Sequence, residues 1–221
     1  MSDDLKLKHP FSCIVSGPSG SGKTFFCIRL LQNFDVLCTE REFGGGIIWC
    51  YSGKTAVPSR QQLPSNTTYY KGVPENFGSG GKTCLVIIDD LLNDVYSKQV
   101  CDLFTRGSHQ TNISVILFTQ NLFHHGRYCR DISLNAKYLV ALKNVRNKKQ
   151  FTYLAQQVYP EGSLGLYNAY LYATQRPHAY LILDLTQDTN DGLRFRTNIF
   201  PKEYPAVFYS DIGDEACEIE I

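Results

Sequence analysis

The chain has 221 residues, 43% of them hydrophobic and 13% aromatic, with 22 Lys and Arg against 21 Asp and Glu. That length and apolar content suit one α/β core and exclude a second independent domain, while the balanced charge excludes a binder driven by an overall basic field; any nucleic-acid contact must come from a local patch. The eight cysteines are scattered singly, without a CxxC pair or a histidine at finger spacing, which argues for reduced, packed thiols inside a cell and against a disulfide frame or a zinc finger. No signal sequence is read at residues 1–10 and no apolar run approaches the ~20 residues of a membrane span, so the expectation is a soluble protein with no membrane partner.

The first element is the apolar run Phe11 to Val15, a buried strand. It leads into Gly17-Pro18-Ser19-Gly20-Ser21-Gly22-Lys23-Thr24, and a helix predicted from about Gly22 to Phe34 follows, with Phe26, Leu30, Leu31 and Phe34 on one face. Strand, glycine-rich loop and helix in this order make a phosphate cradle. Backbone N–H groups converge on polyphosphate oxygens where side chains would obstruct them, and the positive end of the helix dipole faces the anion. Lys23 reaches the β- and γ-phosphates of ATP and the Thr24 hydroxyl takes Mg²⁺. A chance match to this pattern in a chain of this length is about one in a hundred from average composition. Gly53-Lys54-Thr55 and Gly81-Lys82-Thr83 repeat the last three letters, but Ile48 and Asn76 stand where the first glycine belongs, and both read as flexible basic turns.

After Gly44-Gly45-Gly46 comes a second buried strand, Ile47 to Tyr51. Residues 52–83 are rich in Gly, Pro, Ser and Asn; only Thr67 to Lys71 has strand character, and the rest reads as a surface excursion. Cys84 to Ile88 is a continuous apolar strand that ends in Asp89-Asp90. An acid at such a tip holds the Mg²⁺ shell and a second one polarises the attacking water, so Asp89 is assigned to the metal and Asp90 to the general base. The competing reading is a pair of acids capping the next helix. That helix is predicted from about Asp94 to Gly107, with Arg106 at its end. The strand Ile113 to Phe118 then delivers Thr119-Gln120-Asn121, so that Gln120 either senses the γ-phosphate or is simply a turn residue.

Phe123 to Asn135 reads as a solvated loop, and its His124-His125 pair lacks further ligands at metal spacing. A strand over Ala136 to Leu142 precedes Lys143-Asn144-Val145-Arg146-Asn147-Lys148-Lys149, the most basic run in the chain, which is either a solvated turn or a contact to DNA phosphates or a neighbouring subunit. Helical patterns cover Lys149 to Val158 and Gly162 to Ala173. Tyr180 to Leu185 is a strand with Leu193 to Thr197 as its hairpin partner. The domain is placed at residues 1–210. Residues 211–221, with five acids and no base, form an acidic C-terminal tail expected to fray.

Taken together, the phosphate loop, Asp-Asp ending a later strand and Gln ending the strand after that resemble the HerA/FtsK superfamily of DNA-pumping ATPases. Within it the chain is similar to the poxvirus-type genome-packaging ATPases of large DNA viruses and of Maverick/Polinton-like or adintovirus-like elements. The similarity is carried by Gly17 to Thr24, Leu85 to Asp90, Arg106-Gly107-Ser108-His109, Asn112 to Val115, Leu117 to Asn121, Ile132 to Asn135 and Leu154 to Pro160, and spans residues 9–202. The resemblance implies a P-loop NTPase fold, with a mostly parallel central sheet, helices on both faces, and the Walker A and Walker B strands separated by another strand. It further implies ATP and Mg²⁺ as cofactors and double-stranded DNA as the translocated partner. A homo-oligomeric ring (pentamer or hexamer) would pump this DNA into a preformed viral capsid, inside the host nucleus or cytoplasm or in association with the virion. Arg106 matches the position from which such enzymes lend an arginine to the neighbouring subunit; the alternative is a cation placed at a helix C-terminus by the dipole. The second acid is Asp where many relatives have Glu, and since no added DNA-binding domain is read after the motor, the expectation is that loops facing the pore grip the DNA. Two other functions fit the phosphate loop: a small-molecule kinase, with Arg127 and Arg130 as a lid, and a nucleotide-gated assembly scaffold without turnover.

Overall fold

A computed structural model describes residues 5–53, 57–77, 80–89, 96–107, 112–123, 127–209 and 217–220, with side chains left out at 106, 107, 209 and 217–220. The apolar runs become strands: β1 (Ser12–Ser16), β2 (Ile47–Tyr51), β3 (Thr67–Lys71), β4 (Cys84–Ile88), β5 (Ile113–Thr119), β6 (Tyr138–Leu142), β7 (Tyr180–Asp184), β8 (Phe195–Thr197), β9 (Ala206–Tyr209) and β10 (Cys217–Glu220). They form one sheet in the order β10-β9-β8-β7-β6-β1-β5-β4-β2-β3. From β3 through β6 all neighbours are parallel; β7, β8, β9 and β10 extend the sheet antiparallel. The strand before the phosphate loop and the strand ending in Asp89 are therefore separated by β5, as expected of this α/β class.

Continuous apolar strands need cover on both faces, because successive side chains point to opposite sides. Cys13, Val15, Leu85, Ile87, Ile116 and Phe118 belong to one buried cluster, and Ile14, Val86, Ile88, Val115 and Leu117 to the other. The first cluster is closed by α1 (Lys23–Gln32) and α2 (Phe34–Leu37), through Phe26, Leu30, Phe34 and Leu37. On the second face, α3 (Lys98–Asp102) contributes Val100 and Cys101 and α4 (Cys129–Leu134) contributes Ile132. A third cluster joins β6 and β7 to α5 (Lys148–Val158) and α6 (Ser163–Ala173), with Phe151 and Tyr170 stacked at 4.0 Å between ring centroids.

Several elements differ from expectation. The helix predicted to run to Phe34 stops at Gln32, because the Asn33 side-chain amide donates to the Arg29 carbonyl (2.8 Å) and turns the chain before α2. The helix predicted from Asp94 begins at Lys98, where the Ser97 hydroxyl accepts from the Val100 N–H (3.3 Å), and it widens into a π turn over Leu103–Gly107. The segment read as a loop from Phe123 contains α4. The last two strands were not expected: β9 pairs with β8, and Cys217–Glu220 of the acidic tail pairs antiparallel with β9.

Inside the antiparallel part, Arg196 (3% exposed) and Asp184 (1% exposed) form a 2.7 Å ion pair. Asp184 also accepts from the Thr186 hydroxyl (2.7 Å) and the Thr186 N–H (3.1 Å), so the carboxylate is held from two sides.

Candidate nucleotide site at the carboxyl edge of the sheet

In a parallel sheet with helical crossovers, ligands bind beyond the carboxyl ends of the strands, next to a strand whose two neighbours lead away in opposite directions. Here β1 is that strand, flanked by β5 and β6. Its register pairs Ser16 with Thr119 of β5 and with Ala141 of β6, so the chain leaves all three strands at one edge. The Gly17 N–H donates to the Thr119 carbonyl (3.0 Å), which ties the start of the loop to the tip of β5.

The loop geometry explains its glycines. Gly22 has φ +107°, and a Cβ there would sit 2.7 Å from His178 Nδ1 and 3.0 Å from His178 Cβ. At Gly17 a Cβ would meet Ser21 Oγ at 2.4 Å and Leu142 Cβ at 3.0 Å. Lys23, 8% exposed, folds its ammonium over the turn and donates to the Gly17 carbonyl (2.7 Å) and the Pro18 carbonyl (3.2 Å). The Ser21 hydroxyl is buried without a hydrogen-bond partner, a donor held inside the loop. A caged cation, an unpartnered buried hydroxyl and the N-terminus of α1 are donors with no carboxylate among them, which fits a polyphosphate.

Asp89 stands past the end of β4, 5% exposed, its N–H donating to the Cys50 carbonyl (2.9 Å). Because Ile88 is in register with Leu117, Asp89 lies about one residue behind Thr119 and two strand spacings, roughly 10 Å, from β1. Its charge reaches under α1: the Cys27 thiol is pushed well up by burial, then by Cys13 and by the Asp89 carboxylate. Lys23, Thr24, Asp89 and Gln120 thus occupy the same edge, with Gln120 exposed at the tip of the intervening strand. Thr24 opens α1 beside Lys23, and a hydroxyl and a carboxylate are the hard oxygen donors that Mg²⁺ takes.

Asp90, the residue read as general base, lies outside the described residues, as does the His124-His125 pair. The backbone of Arg106 is in the π turn that leads toward the start of β5, at the opposite edge from Lys23, and its side chain is outside the described residues. Two features of the site were not read from the sequence. The Tyr96 hydroxyl hydrogen-bonds Thr119 Oγ1 (3.1 Å), which puts Tyr96 at the tip of β5. His178 lies against the loop, its Nδ1 3.3 Å from the Ser21 carbonyl and its ring 5.6 Å from that of Phe25.

The basic run also falls at this edge. It follows Leu142 of β6 and is shaped from within: Asn147 N–H donates to Asn144 Oδ1 (2.9 Å), and Asn144 N–H donates to the Tyr170 hydroxyl (3.0 Å), which donates to the Leu142 carbonyl (3.0 Å). Val145, Arg146, Lys148 and Lys149 are exposed. Lys148 and Lys149 open α5 with no acid in its first turn, against the sense of the helix dipole. Among the described residues there is no cluster of His, Cys, Asp and Glu able to hold a metal, and no helix is long and apolar enough to cross a membrane.

No protein-family model matches the chain, and no curated protein matches it. Among solved structures it is similar to the genome packaging NTPase B204 of Sulfolobus turreted icosahedral virus 2 in complex with ATP-gammaS, at 12% identity over 85% of this chain and 95% of that one, TM-score 0.49. The same protein in complex with AMPPCP is similar at 13% identity over 80% of this chain and 93% of that one, TM-score 0.49.

Proposed function

We propose that the chain is an ATPase that drives double-stranded DNA into a preformed viral capsid as one subunit of a ring. The observation that carries the ATPase reading is the strand order: β5 stands between the lysine loop and the acid-tipped strand, so that Lys23, Gln120 and Asp89 line one edge. That spacing leaves room for a terminal phosphate and an attacking water between the loop and the acid. The DNA-packaging part rests on the order and wording of the motifs, which resemble the poxvirus-type branch of the HerA/FtsK superfamily.

The residues divide the work. Backbone N–H groups of Gly20 to Thr24 bind the phosphates, and Lys23 exchanges its loop carbonyls for β- and γ-oxygens. Thr24 and Asp89 would hold Mg²⁺, which when bound neutralises charge on the phosphate oxygens. Asp90 takes a proton from the attacking water and Gln120 orients that water. Arg106 serves the pocket of the next subunit, which fits its place at the far edge from its own Lys23. The exposed loop of Val145, Arg146, Lys148 and Lys149 faces DNA or the neighbouring subunit.

The test is ATP hydrolysis measured with and without duplex DNA over a range of protein concentration. A shared active site makes specific activity rise as rings assemble, and DNA raises it further. Activity that is independent of both DNA and concentration refutes the motor, and activity that requires a small-molecule phosphoryl acceptor replaces it with a kinase.

A further inference from the structure

We propose that Phe25 and His178 form the platform on which the purine base of the bound nucleotide stacks; this rests on the ATP reading above. The direction of the nucleotide follows from the sheet. The acid-tipped strand and the Gln120 tip lie on the β5 side of β1, so a triphosphate with its terminal group toward them sends its nucleoside away across β1, toward β6 and β7. β7 runs antiparallel to β6, with Tyr180 opposite Leu142, and so begins at the same edge. The turn just before it delivers His178, at φ +62°, onto the loop.

Two rings meet there. Phe25 follows Thr24 directly and is 50% exposed, whereas the next residue, Phe26, is buried in the core beneath α1. The Phe25 and His178 rings are 5.6 Å apart and tilted by 48°. Behind Phe25, one helical turn along, the Arg29 guanidinium lies 5.7 Å from its centroid and is itself fixed by Glu203 (2.7 Å) and by the Phe200 ring (4.0 Å). Phe25 is therefore held from two sides and still presents half its surface at the mouth of the phosphate loop. Aromatic faces of this kind bind bases through stacking, which tolerates any purine.

The test compares ATP with inorganic tripolyphosphate, which shares the phosphates and lacks the base, on the full chain by calorimetry with Mg²⁺ present. Wild type binds ATP more tightly than tripolyphosphate. Phe25→Ala weakens ATP by roughly ten-fold or more, the size of one lost stacking contact, and leaves tripolyphosphate unchanged; Phe25→Trp retains ATP affinity. His178→Ala acts in the same direction, and Phe25→Ala remains decisive because Phe25 does not pack beneath Gly22. Equal loss of both ligands in Phe25→Ala, or no loss of ATP, overturns the platform while leaving the phosphate site intact. Wild type that binds neither ligand overturns the ATP reading itself.

Discussion

Gly22→Ala is the most exacting perturbation of the phosphate loop, because two separate costs arise at one atom. With φ +107° the position lies outside the range that an L residue adopts, and the left-handed penalty is about 1–2 kcal/mol. The new methyl would also stand 2.7 Å from His178 Nδ1 and 3.0 Å from His178 Cβ. Rotating the imidazole clears the first contact but not the second, so the turn or the loop must move, at about 1–3 kcal/mol for overpacking. The loop relieves this strain by leaving its binding geometry, and a ligand that restores the geometry must supply the difference. At about 1.4 kcal/mol per decade, ATP affinity falls by roughly 30-fold to a few thousand-fold. Titration of ATP by calorimetry measures the loss. Repeating Gly22→Ala in a His178→Gly background, against His178→Gly alone, isolates the two parts: glycine removes both the imidazole and the Cβ at 3.0 Å, so the steric share disappears and the backbone share stays. ATP affinity within about three-fold of wild type in Gly22→Ala would refute the reasoning, since even the backbone term alone exceeds roughly five-fold.

Other outcomes check the remaining assignments. Lys23→Ala abolishes ATP binding, whereas Asp90→Asn binds ATP and holds it unhydrolysed; a filter-binding assay with labelled ATP separates them, and equal loss of binding in both contradicts the division of labour. Arg106→Ala subunits mixed with Asp90→Asn subunits recover hydrolysis that neither variant shows, because an intact arginine then faces an intact acid across the interface; no recovery at any mixing ratio returns Arg106 to a helix-end cation. Lys148→Ala with Lys149→Ala flattens the slope of log affinity for duplex DNA against log salt by about 1.8 if each lysine neutralises one phosphate, and an unchanged slope makes them solvated. Arg196→Met strands the Asp184 carboxylate inside the sheet and costs about 3–5 kcal/mol. Thermal unfolding followed by circular dichroism should show a fall of roughly 6–20 °C, and a fall under about 2 °C contradicts the buried-pair argument.

How much of this was legible in the chain depends on the range of the forces involved. Apolar runs such as Cys84 to Ile88 and Ile113 to Phe118 identify buried strands by composition alone, and the loop from Gly17 to Thr24 carries its own turn chemistry, so both read directly. Helix ends did not, since Asn33 and Ser97 act through hydrogen bonds that compete with helix continuation. The direction of β7 is a tertiary choice, and with it goes the placement of His178, which sits 156 residues after Gly22 in the chain. The pairing of Tyr96 with Thr119 is hidden for the same reason: neither residue carries a pattern until the strand tips are brought together. β9 and β10 were missed because a short strand at a sheet margin is specified by its neighbour's free edge more than by its own composition.

The ammonium of Lys23 resting on two carbonyls of its own turn bears on how the proposed ATPase would cycle. An arriving triphosphate competes with those carbonyls, so the lysine adds to affinity only the difference between two sets of charged contacts. The compensation comes at the other end of the cycle. Under the proposed hydrolysis, departure of spent nucleotide would let the side chain drop back onto waiting oxygens while the turn keeps its shape, so the emptied site would be ready to load again without any refolding of its binding loop.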